Sequence, residues 1–261
     1  MNAPRVGEGI PWLEPDWPAP AGVRAAFTLR SGGVSAAPWD SLNVGIHVGD
    51  DPAAVVENRR RLHGALGLPG EPLWLDQVHG VEVVDADTAT QLRPRGDAVV
   101  AARSGVVCAI QVADCLPVLF ASLDGQRIGA AHAGWRGLAG GVLEATLAAL
   151  DQPASQFIVW LGPAIGAAHF EVGDEVLAAF QAQRHRHAGD PAAAFRRNAR
   201  GRWDCDLYEL ARQRLAAAGV HSAWGGGEDT CGDPGRYFSH RRGAPTGRHV
   251  ALLWRDTTVR L

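Results

Sequence analysis

Two histidines and one cysteine stand where short apolar runs of the sequence end, and their side chains could together bind a metal ion. His79 precedes a glycine, Cys115 precedes Leu-Pro, and His132 precedes Ala-Gly, so each lies where a chain leaves a β-sheet. Side chains at strand ends have rigid supports and face a rim, where functional sites form. Two imidazoles and a thiolate suit tetrahedral Zn²⁺, and three protein ligands leave the fourth position open, as in catalytic zinc sites.

Other interpretations use the same side chains. A single histidine near a strand end is commonly hydrogen-bonded, and a free cysteine is commonly a small buried residue, as we expect for Cys108. Cys115 could act as the nucleophile of a cysteine hydrolase with His132 as its base, and this excludes metal binding because both use the same atoms. A binding module with a structural metal would need a closed fourth position, for which Cys108, Cys205 and Cys231 are available.

A glycine-rich turn follows the second histidine and could bind an anion. The segment His132-Ala-Gly-Trp-Arg-Gly137 leads into a helix predicted over residues 138–150. Free backbone N–H groups and the helix dipole favour an anion at such a turn, and Arg136 could clamp it. The alternative is a tight turn in which glycine serves only the backbone geometry.

Apolar runs and helical periodicity predict the helices and strands that position these residues. Helices are predicted over 52–66, 138–150, 172–183 and 207–218, the first with Asp51 as its cap. Strands are predicted over 23–29, 73–75, 81–84, 98–101, 106–112, 118–122, 127–131, 157–161 and 250–254. The polar stretch 184–202 is predicted to be an exposed loop. This mixed order predicts an α+β fold in layers, one domain with mixed β-sheets flanked by helices.

Composition and sequence pattern indicate which partners and which location we expect for the protein. The 261 residues carry 25 basic and 28 acidic side chains, so no basic field favours nucleic acid as a partner. The sequence has no signal-peptide pattern and no run of the roughly 18 apolar residues that a membrane span needs, so we expect a cytoplasmic protein without a membrane partner. Residues 1–22, rich in proline, are predicted to be an N-terminal arm, and residues 23–261 a single catalytic domain. Monomer and homodimer both remain open.

Many segments in one order resemble the YfiH-like family, whose members are also described as laccase-domain or multicopper polyphenol oxidoreductase-type proteins. The matching segments begin with Thr28-Leu-Arg-Ser-Gly-Gly-Val-Ser35, Ser41-Leu-Asn-Val-Gly45, His47-Val-Gly-Asp-Asp51 and Asn58-Arg59. They continue with Gln77-Val-His79-Gly, Gly96-Asp-Ala98, Ala113-Asp-Cys-Leu-Pro117 and His132-Ala-Gly-Trp-Arg-Gly137. They end with Leu161-Gly-Pro-Ala-Ile-Gly166, Phe170-Glu-Val-Gly173, Phe238-Ser-His-Arg-Arg242 and Thr246-Gly-Arg248. The resemblance therefore covers nearly the whole chain.

The resemblance implies a zinc-dependent purine nucleoside phosphorylase that acts on adenosine, inosine and methylthioadenosine. It assigns the zinc ligands to His79, Cys115 and His132, which would also make them catalytic residues. Adenosine deamination and editing of peptidoglycan precursors are further activities associated with the family. Some members carry Cys and Tyr after the Gly-Pro-x-Ile-Gly turn, where this chain has Ala168-His169-Phe170.

For phosphorolysis, we expect Arg136 to hold phosphate, and Asn43, Arg59 and Arg248 to contact the substrate. Loop capping, a solvated helix face and surface pairing are the respective alternatives for these last three residues.

For deamination, an activated water would attack purine C6 while a carboxylate moves protons. Glu171 is the family-matched carboxylate for that role, although a structural role is the alternative.

The older family name suggests a copper polyphenol oxidase, which the sequence disfavours. A multicopper cluster needs many histidines, often in His-x-His pairs. The chain has ten histidines but one such pair, His185 and His187, and its only methionine is Met1. Zinc is therefore expected rather than copper.

Overall fold

The central strands are buried on both faces, and they belong to two six-stranded sheets that lie between helices. In the computed structural model, which describes residues 4–256, Cys108 and Ile110 face one side of their strand while Val107 and Ala109 face the other, and all four are buried. Successive side chains of a strand point to opposite faces, so a strand that is buried throughout is covered on both sides. The continuous apolar runs in the sequence are such strands.

The first sheet combines strands that are far apart in sequence. From edge to edge it contains β1 (Arg5–Gly7), β2 (Ile10–Leu13), β3 (Val23–Thr28), β15 (His249–Arg255), β7 (Val107–Val112) and β4 (Pro72–Leu73). Neighbouring strands are antiparallel, except that β7 and β4 run parallel. Strand β15 therefore lies inside the sheet and joins β3 to β7.

The second sheet is also mixed. From edge to edge it contains β14 (Ser222–Gly225), β10 (Phe157–Leu161), β8 (Leu116–Ser122), β9 (Ile128–Ala133), β6 (Ala98–Ala101) and β5 (Val83–Asp85). Its two outer pairs are parallel and its inner pairs are antiparallel. A third, antiparallel sheet contains β11 (Glu171–Val172), β13 (Trp203–Cys205) and β12 (Phe195–Arg197).

Helices cover the outer faces of the two large sheets. They are α1 (Pro52–Leu66), α2 (Trp135–Gly140), α3 (Val142–Ala149), α4 (Asp174–Gln181) and α5 (Leu207–Ala217), with short 3-10 helices at Ala154–Gln156, Arg184–Arg186 and Pro191–Ala194. Helix α1 packs on the first sheet, and α2 to α5 pack on the second. A third apolar cluster fills the space between the sheets. The result is a single α+β domain with mixed sheets flanked by helices, as predicted, and its helices and sheets form four layers.

The sequence predicted helix α1 and strands β6 and β10 with their observed bounds, and the other predicted strands to within two residues. The helix predicted over 138–150 is wrong as one element, because Gly141 adopts φ +107° and divides it into α2 and α3. Helix α2 also begins earlier, at Trp135. A left-handed residue ends a helix, and glycine adopts this conformation without steric cost.

Two further segments differ from simple loops. The stretch 184–202 is not merely an exposed loop, because it contains β12 and buries His187 and Phe195. The predicted N-terminal arm, residues 1–22, supplies β1 and β2 to the first sheet. Its residues 1–3 and the domain's residues 257–261 lie outside the described part, and the division at residue 22 stays a prediction.

Among the described helices, none has both the length and the apolar character needed to cross a membrane.

Candidate metal centre and its cavity

The metal-ligand candidates meet where the chain passes from the first sheet to the second. Strand β7 ends at Val112 and β8 begins at Leu116, so Cys115 lies at the end of the turn between the two sheets. In the pairing of β8 with β9, Leu116 faces Ala133 and Pro117 faces His132. This register brings the cysteine next to a histidine that is 17 positions away in the numbering.

A buried carboxylate fixes the loop that carries the other histidine. Asp97, fully buried, accepts hydrogen bonds from the backbone N–H groups of Val78, His79 and Gly80 at 3.2, 2.8 and 2.6 Å. His79 has a positive φ of 61°, which is uncommon for a residue with a side chain. The three hydrogen bonds hold this turn and direct its imidazole toward the ends of β8 and β9.

The three side chains form one compact group. One ligand atom from each of His79, Cys115 and His132 lies within 4.8 Å of the other two, and Cys115 Sγ is 3.8 Å from His79 Nε2. The two imidazole rings are 4.7 Å apart and inclined at 69°, so they do not stack. The structure thus brings together the group predicted from the sequence, and that group could hold a metal ion.

The same carboxylate orients the second histidine. His132 Nδ1 lies 2.8 Å from Asp97 Oδ1, and its backbone N–H donates to the Asp97 carbonyl at 2.7 Å. The ring is therefore fixed through Nδ1, and Nε2 is left free to face the cysteine. Carboxylates that hold a ligating histidine in this way fix its tautomer and raise its basicity. Sequence reasoning included Asp97 in a family segment without a role, because only the pairing of β6 with β9 places it beside His132.

Electrostatics favour a thiolate at this site. Burial acts to raise the pKa of Cys115, but the charge of His132 and hydrogen bonds from both histidines outweigh it and lower that pKa to about 6. Burial acts to lower the pKa of His132, but the Cys115 thiolate and Asp97 outweigh it and raise that pKa to about 9. The thiolate is the form of cysteine that binds a metal.

Two glycines allow the close packing around the group. A Cβ atom added to Gly134 would lie 2.9 Å from Cys115 Sγ and 3.1 Å from His79 Cδ2. A Cβ atom added to Gly137 would lie 2.8 Å from the carbonyl oxygen of Gly80. Gly134 in the turn after β9 and Gly137 in α2 therefore allow α2 to approach the candidate ligands. Since α2 has only six residues and Arg136 lies within its first turn, the predicted geometry of a turn leading into a long helix is not observed.

The group opens into a cavity of about 440 Å³, which we call the metal-site cavity. Its size lies within the range of small-molecule sites, about 300–1,000 Å³. The lining residues are His47, Gln77, His79, Gln111, Val112, Ala113, Asp114, Cys115, His132, Trp135, Arg136, Ile165, Phe170, His240, Arg241 and Arg248. The cavity therefore combines the candidate ligands with three arginines and two aromatic rings.

The four other predicted site residues divide into two pairs. Arg136 and Arg248 line the metal-site cavity, whereas Asn43 and Arg59 are not among its lining residues. Asn43 is fully buried, and its Oδ1 accepts hydrogen bonds from the backbone of Gly45 and Arg248, both at 2.9 Å. The Arg59 guanidinium donates two hydrogen bonds to one carbonyl oxygen and lies 3.6 Å from the centre of a tryptophan ring.

The neighbour of the cysteine anchors a cavity wall. Asp114, directly before Cys115, has φ +89°. It accepts hydrogen bonds from the hydroxyls of Thr230 and Ser239 at 2.7 and 3.0 Å, and from the backbone N–H of Arg241 at 2.7 Å. Sequence reasoning assigned no role to this carboxylate, because its contact with Thr230 spans more than 110 positions.

The side chains that the sequence suggested for other chemistries lie outside the cavity lining. Glu171 Oε2 accepts a hydrogen bond from an asparagine at 2.8 Å, and its carboxylate pairs with Arg200 and Arg202. His169 Nδ1 lies 2.5 Å from a carboxylate oxygen of Asp229. The two histidines of the His-x-His pair are likewise absent from the residues that line the metal-site cavity.

Comparison with known proteins identifies a matching family and relatives that cover nearly the whole chain. A profile of the family described as "Multi-copper polyphenol oxidoreductase laccase" matches residues 24–256. A relative from Pseudomonas aeruginosa named "Purine nucleoside phosphorylase PA4543" is 56% identical over 244 residues, which cover 93% of this chain and 98% of the relative. "Purine nucleoside phosphorylase YfiH" of Escherichia coli K12 is 46% identical over 242 residues, with the same coverage of 93% and 98%.

Solved structures share the fold. The Neisseria meningitidis protein NMB0706 superposes with a TM-score of 0.89 at 45% identity, covering 94% of this chain and 99% of its own. YlmD from Geobacillus stearothermophilus superposes with a TM-score of 0.88 at 33% identity, covering 98% of each chain. The four-layer arrangement is therefore the architecture of these relatives along nearly their whole length.

Proposed function

Because this chain belongs to the multi-copper polyphenol oxidoreductase laccase family, we propose that it acts within that family as a zinc-dependent purine nucleoside phosphorylase. The observation that carries the proposal is the metal-site cavity, in which a His–Cys–His group adjoins arginines and aromatic rings in a chain whose relatives bear that enzyme name. Adenosine, inosine and methylthioadenosine are the proposed substrates, with orthophosphate as co-substrate, and a cytoplasmic location is retained.

The donor set fits zinc. His79, Cys115 and His132 provide two imidazoles and a thiolate, Asp97 fixes one ring, and Gly134 leaves room beside them. A zinc ion held there would supply positive charge beside the reacting groups as a Lewis acid. Three protein ligands leave a position that faces the cavity, which favours a catalytic role over a structural one.

The chain's own residues would bind and orient the reactants. In phosphorolysis an oxygen of phosphate forms a bond to ribose C1′ as the C1′–N9 bond breaks, and the bonding electron pair leaves with the purine, which takes up a proton. We assign phosphate to Arg248, which is half-buried and lines the same cavity as Cys115. Trp135 and Phe170 present aromatic surfaces on which a purine ring can lie.

Two predicted contact residues are proposed to act through others. Asn43 holds the backbone of Arg248, and Arg59 holds the carbonyl of Val44, so both would shape the wall that presents Arg248. Arg136 remains a proposed substrate contact, and because it is exposed it is better placed at the mouth of the cavity than beside the metal.

Two of the alternative chemistries, deamination and copper oxidation, lack a specific supporting observation among the described residues. For deamination, Asp114 is the one carboxylate among the described lining residues, and both of its oxygens accept hydrogen bonds from the protein. For copper oxidation, four histidines line the cavity but only His79 and His132 belong to the candidate ligand group found among the described residues. A cysteine hydrolase would need Cys115 without a metal.

The test is product formation by zinc-loaded protein from adenosine and inosine, with and without phosphate. We expect free base and ribose 1-phosphate only when phosphate is present, and loss of both in Cys115→Ala. Cys231→Ala is the matched control, because Cys231 is half-buried but does not line the metal-site cavity. Inosine formed from adenosine without phosphate would favour deamination instead, and absence of any product would refute the proposal.

A further inference from the structure

Gln111 lines the metal-site cavity with a side-chain amide that the described protein leaves unused. The residue is the last but one of strand β7, and only 4% of its surface is exposed. Its Oε1 is buried without a hydrogen-bond partner, and its Nε2 donates to none of the described residues. Because a buried polar group without a partner is destabilising, a ligand that supplies the partner would bind here.

The backbone of Gln111 is held firmly, although its side chain is not. Strand β4 pairs with β7 only at Val107 and Cys108 and does not reach Gln111. The side chain of Gln77 takes the place of the missing strand. Its Nε2 donates to the Gln111 carbonyl at 2.8 Å, and its Oε1 accepts from the Gln111 N–H at 2.8 Å. The terminal torsion of a glutamine is soft, so the Gln111 amide can rotate toward a ligand while its backbone stays in place.

Gln111 lies on the same face of the first sheet as Arg248. It pairs with Val250 of β15, and Val250 belongs to the apolar cluster beneath α1. His249 instead packs on Phe27, in the cluster between the sheets, so Arg248 and Val250 share the opposite face. Diagonal neighbours on one face of a sheet are close enough for long side chains to reach a common ligand.

The purine is assigned to a different wall of the cavity. Trp135 and Phe170 pack with the apolar cluster on the outer face of the second sheet, whereas Arg248, to which phosphate is assigned, belongs to the first sheet. In phosphorolysis the phosphate attacks C1′, so the ribose lies between the phosphate and the purine. This placement brings the ribose, and with it the 2′-hydroxyl on the carbon next to C1′, to the side of the cavity that carries Gln111.

The chemistry of the amide selects a hydroxyl over the other groups of the reactants. Oε1 needs a donor, and a phosphate anion presents mainly acceptor oxygens. A hydroxyl can donate to Oε1 or accept from Nε2, so it can pair with either end of the amide. An apolar face of the purine offers neither kind of partner.

We propose that the Gln111 carboxamide binds the 2′-hydroxyl of the ribose and makes the protein selective for ribonucleosides over 2′-deoxyribonucleosides. The proposal rests on the proposed function, which supplies the positions of the purine and the phosphate. Adenosine, inosine and methylthioadenosine all carry this hydroxyl, so one contact serves the whole proposed substrate class.

Equilibrium binding without orthophosphate tests the contact. Zinc-loaded protein is titrated in a calorimeter with inosine, 2′-deoxyinosine and 3′-deoxyinosine. Binding is measured rather than turnover, because removal of the 2′-hydroxyl also weakens the glycosidic bond. We expect inosine to bind at least about tenfold more tightly than 2′-deoxyinosine, since the deoxy ligand leaves the buried amide unpaired. The affinity for 3′-deoxyinosine should stay close to that for inosine.

Gln111→Met keeps the length of the side chain and removes the amide. It should lower the affinity for inosine to that for 2′-deoxyinosine and leave the latter unchanged, which also shows that the variant is folded. Gln111→Leu, with a different shape, should give the same pattern. Gln181→Met, at an exposed position of α4 that does not line the cavity, is the control and should retain the full preference.

Equal affinity of the wild-type protein for inosine and 2′-deoxyinosine would overturn the inference, and so would a preference that persists in both Gln111 variants. A preference that depends on the 3′-hydroxyl instead would overturn the assignment to the 2′ position. Loss of phosphorolysis in the activity assay with the binding preference intact would count against the proposed function alone. The two failures are therefore distinguishable.

Discussion

At the scale of single residues, the candidate site depends on Asp97 as much as on the ligands themselves. Its carboxylate binds His132 Nδ1 and the N–H groups of the turn that carries His79. Burial acts to raise the pKa of Asp97, but its hydrogen bonds with His132 and with the backbone outweigh burial and lower that pKa. One ionised side chain thus orients two of the three candidate ligands.

We predict that Asp97→Asn weakens zinc binding by about 10- to 100-fold, the usual effect of removing such a supporting carboxylate. An amide cannot accept all four hydrogen bonds with full charge and cannot fix the histidine tautomer as strongly. Competition with a chromophoric chelator measures the affinity. Asp76→Asn, at a partly exposed carboxylate paired with Arg93, is the matched control. Unchanged zinc affinity in Asp97→Asn would contradict the assigned role.

A second residue-scale prediction concerns His249, which is fully buried. Burial, with a smaller contribution from nearby arginines, lowers its pKa to about 3, and its Nε2 accepts a hydrogen bond from the backbone N–H of Phe238 at 2.7 Å. In the unfolded chain a histidine has a pKa of about 6.5. Above pH 6.5 both states are neutral, so the contribution to stability is complete. Between pH 6.5 and 3 the unfolded chain binds a proton that the folded protein does not, so the contribution is lost as the pH falls.

The free energy of unfolding should therefore fall by up to about 1.4 kcal/mol per pH unit below pH 6 through His249 alone. Urea unfolding at pH 7.5, 6.0 and 5.0 measures the slope. His249→Gln should reduce the slope, whereas His221→Gln, at an exposed site, should not. Equal slopes in wild type and His249→Gln, or a His249 resonance that titrates near pH 6.5, would show the prediction to be wrong.

Residue types and the family resemblance were enough to nominate His79, Cys115 and His132, because soft ligands at strand ends are few. They could not reveal Asp97 or Asp114, because a carboxylate acquires its role only through its partners. Those partners depend on the register of β6 with β9 and on a contact between residues 114 and 230. Nor could spacing separate Asn43, which holds backbone, from Arg248, which lines the cavity.

At the scale of elements, the turn between β9 and α2 decides how closely the candidate ligands approach. Gly134 faces Cys115 and His79, and a side chain there would enter the space between them. We predict that Gly134→Ala lowers zinc affinity by about tenfold or more, because overpacking a closed site costs about 1–3 kcal/mol. Gly243→Ala is the control, since its added Cβ would meet no atom within 4 Å.

Zinc content after dialysis and the chelator competition used for Asp97 would measure this effect. A Gly134→Ala protein that is folded by circular dichroism and binds zinc as tightly as wild type would refute the assigned role of the glycine. A Gly134→Ala protein with weak zinc binding and an unchanged circular dichroism spectrum would support it.

Elements with continuous apolar runs, such as β6 and β10, were predictable because burial on both faces requires such runs. The break between α2 and α3 was not, because an apolar pattern continues through Gly140 and Gly141, and the sequence alone does not state that φ becomes +107°. The short strands of the third sheet were missed for a related reason. They are two or three residues long and pair only with one another, so no apolar run in the sequence marks them.

At the scale of the whole molecule, the candidate ligand group brings together three segments that are far apart in the sequence. His79 comes from the connection between β4 and β5, Cys115 from the turn between the sheets, and His132 from β9. A metal ion that contacts all three side chains would bind the folded protein but not the unfolded chain. Binding of that kind stabilises the folded state by about 2.7 kcal/mol at a free-ligand concentration 100 times the Kd.

We therefore predict that zinc raises the Tm by roughly 5–10 °C at that concentration, since 1 kcal/mol shifts the Tm of a domain of this size by about 2–4 °C. Chelation should reverse the shift. Cys115→Ala should show no shift, and Cys231→Ala should show the full one. Differential scanning calorimetry with and without zinc measures the effect. An identical Tm under both conditions would contradict metal binding at this group.

Strand β15 lies between β3 and β7, although it is translated long after both. During synthesis the metal-ligand candidates therefore leave the ribosome while the first sheet still has a gap at its centre. The late part of the chain also carries Arg241 and Arg248, so a nascent chain has its candidate ligands and Arg136 before it has the other two arginines of the cavity. Insertion of β15 closes the sheet and brings Arg248 to the cavity in one event, so the full set of cavity arginines is in place only when the fold is complete.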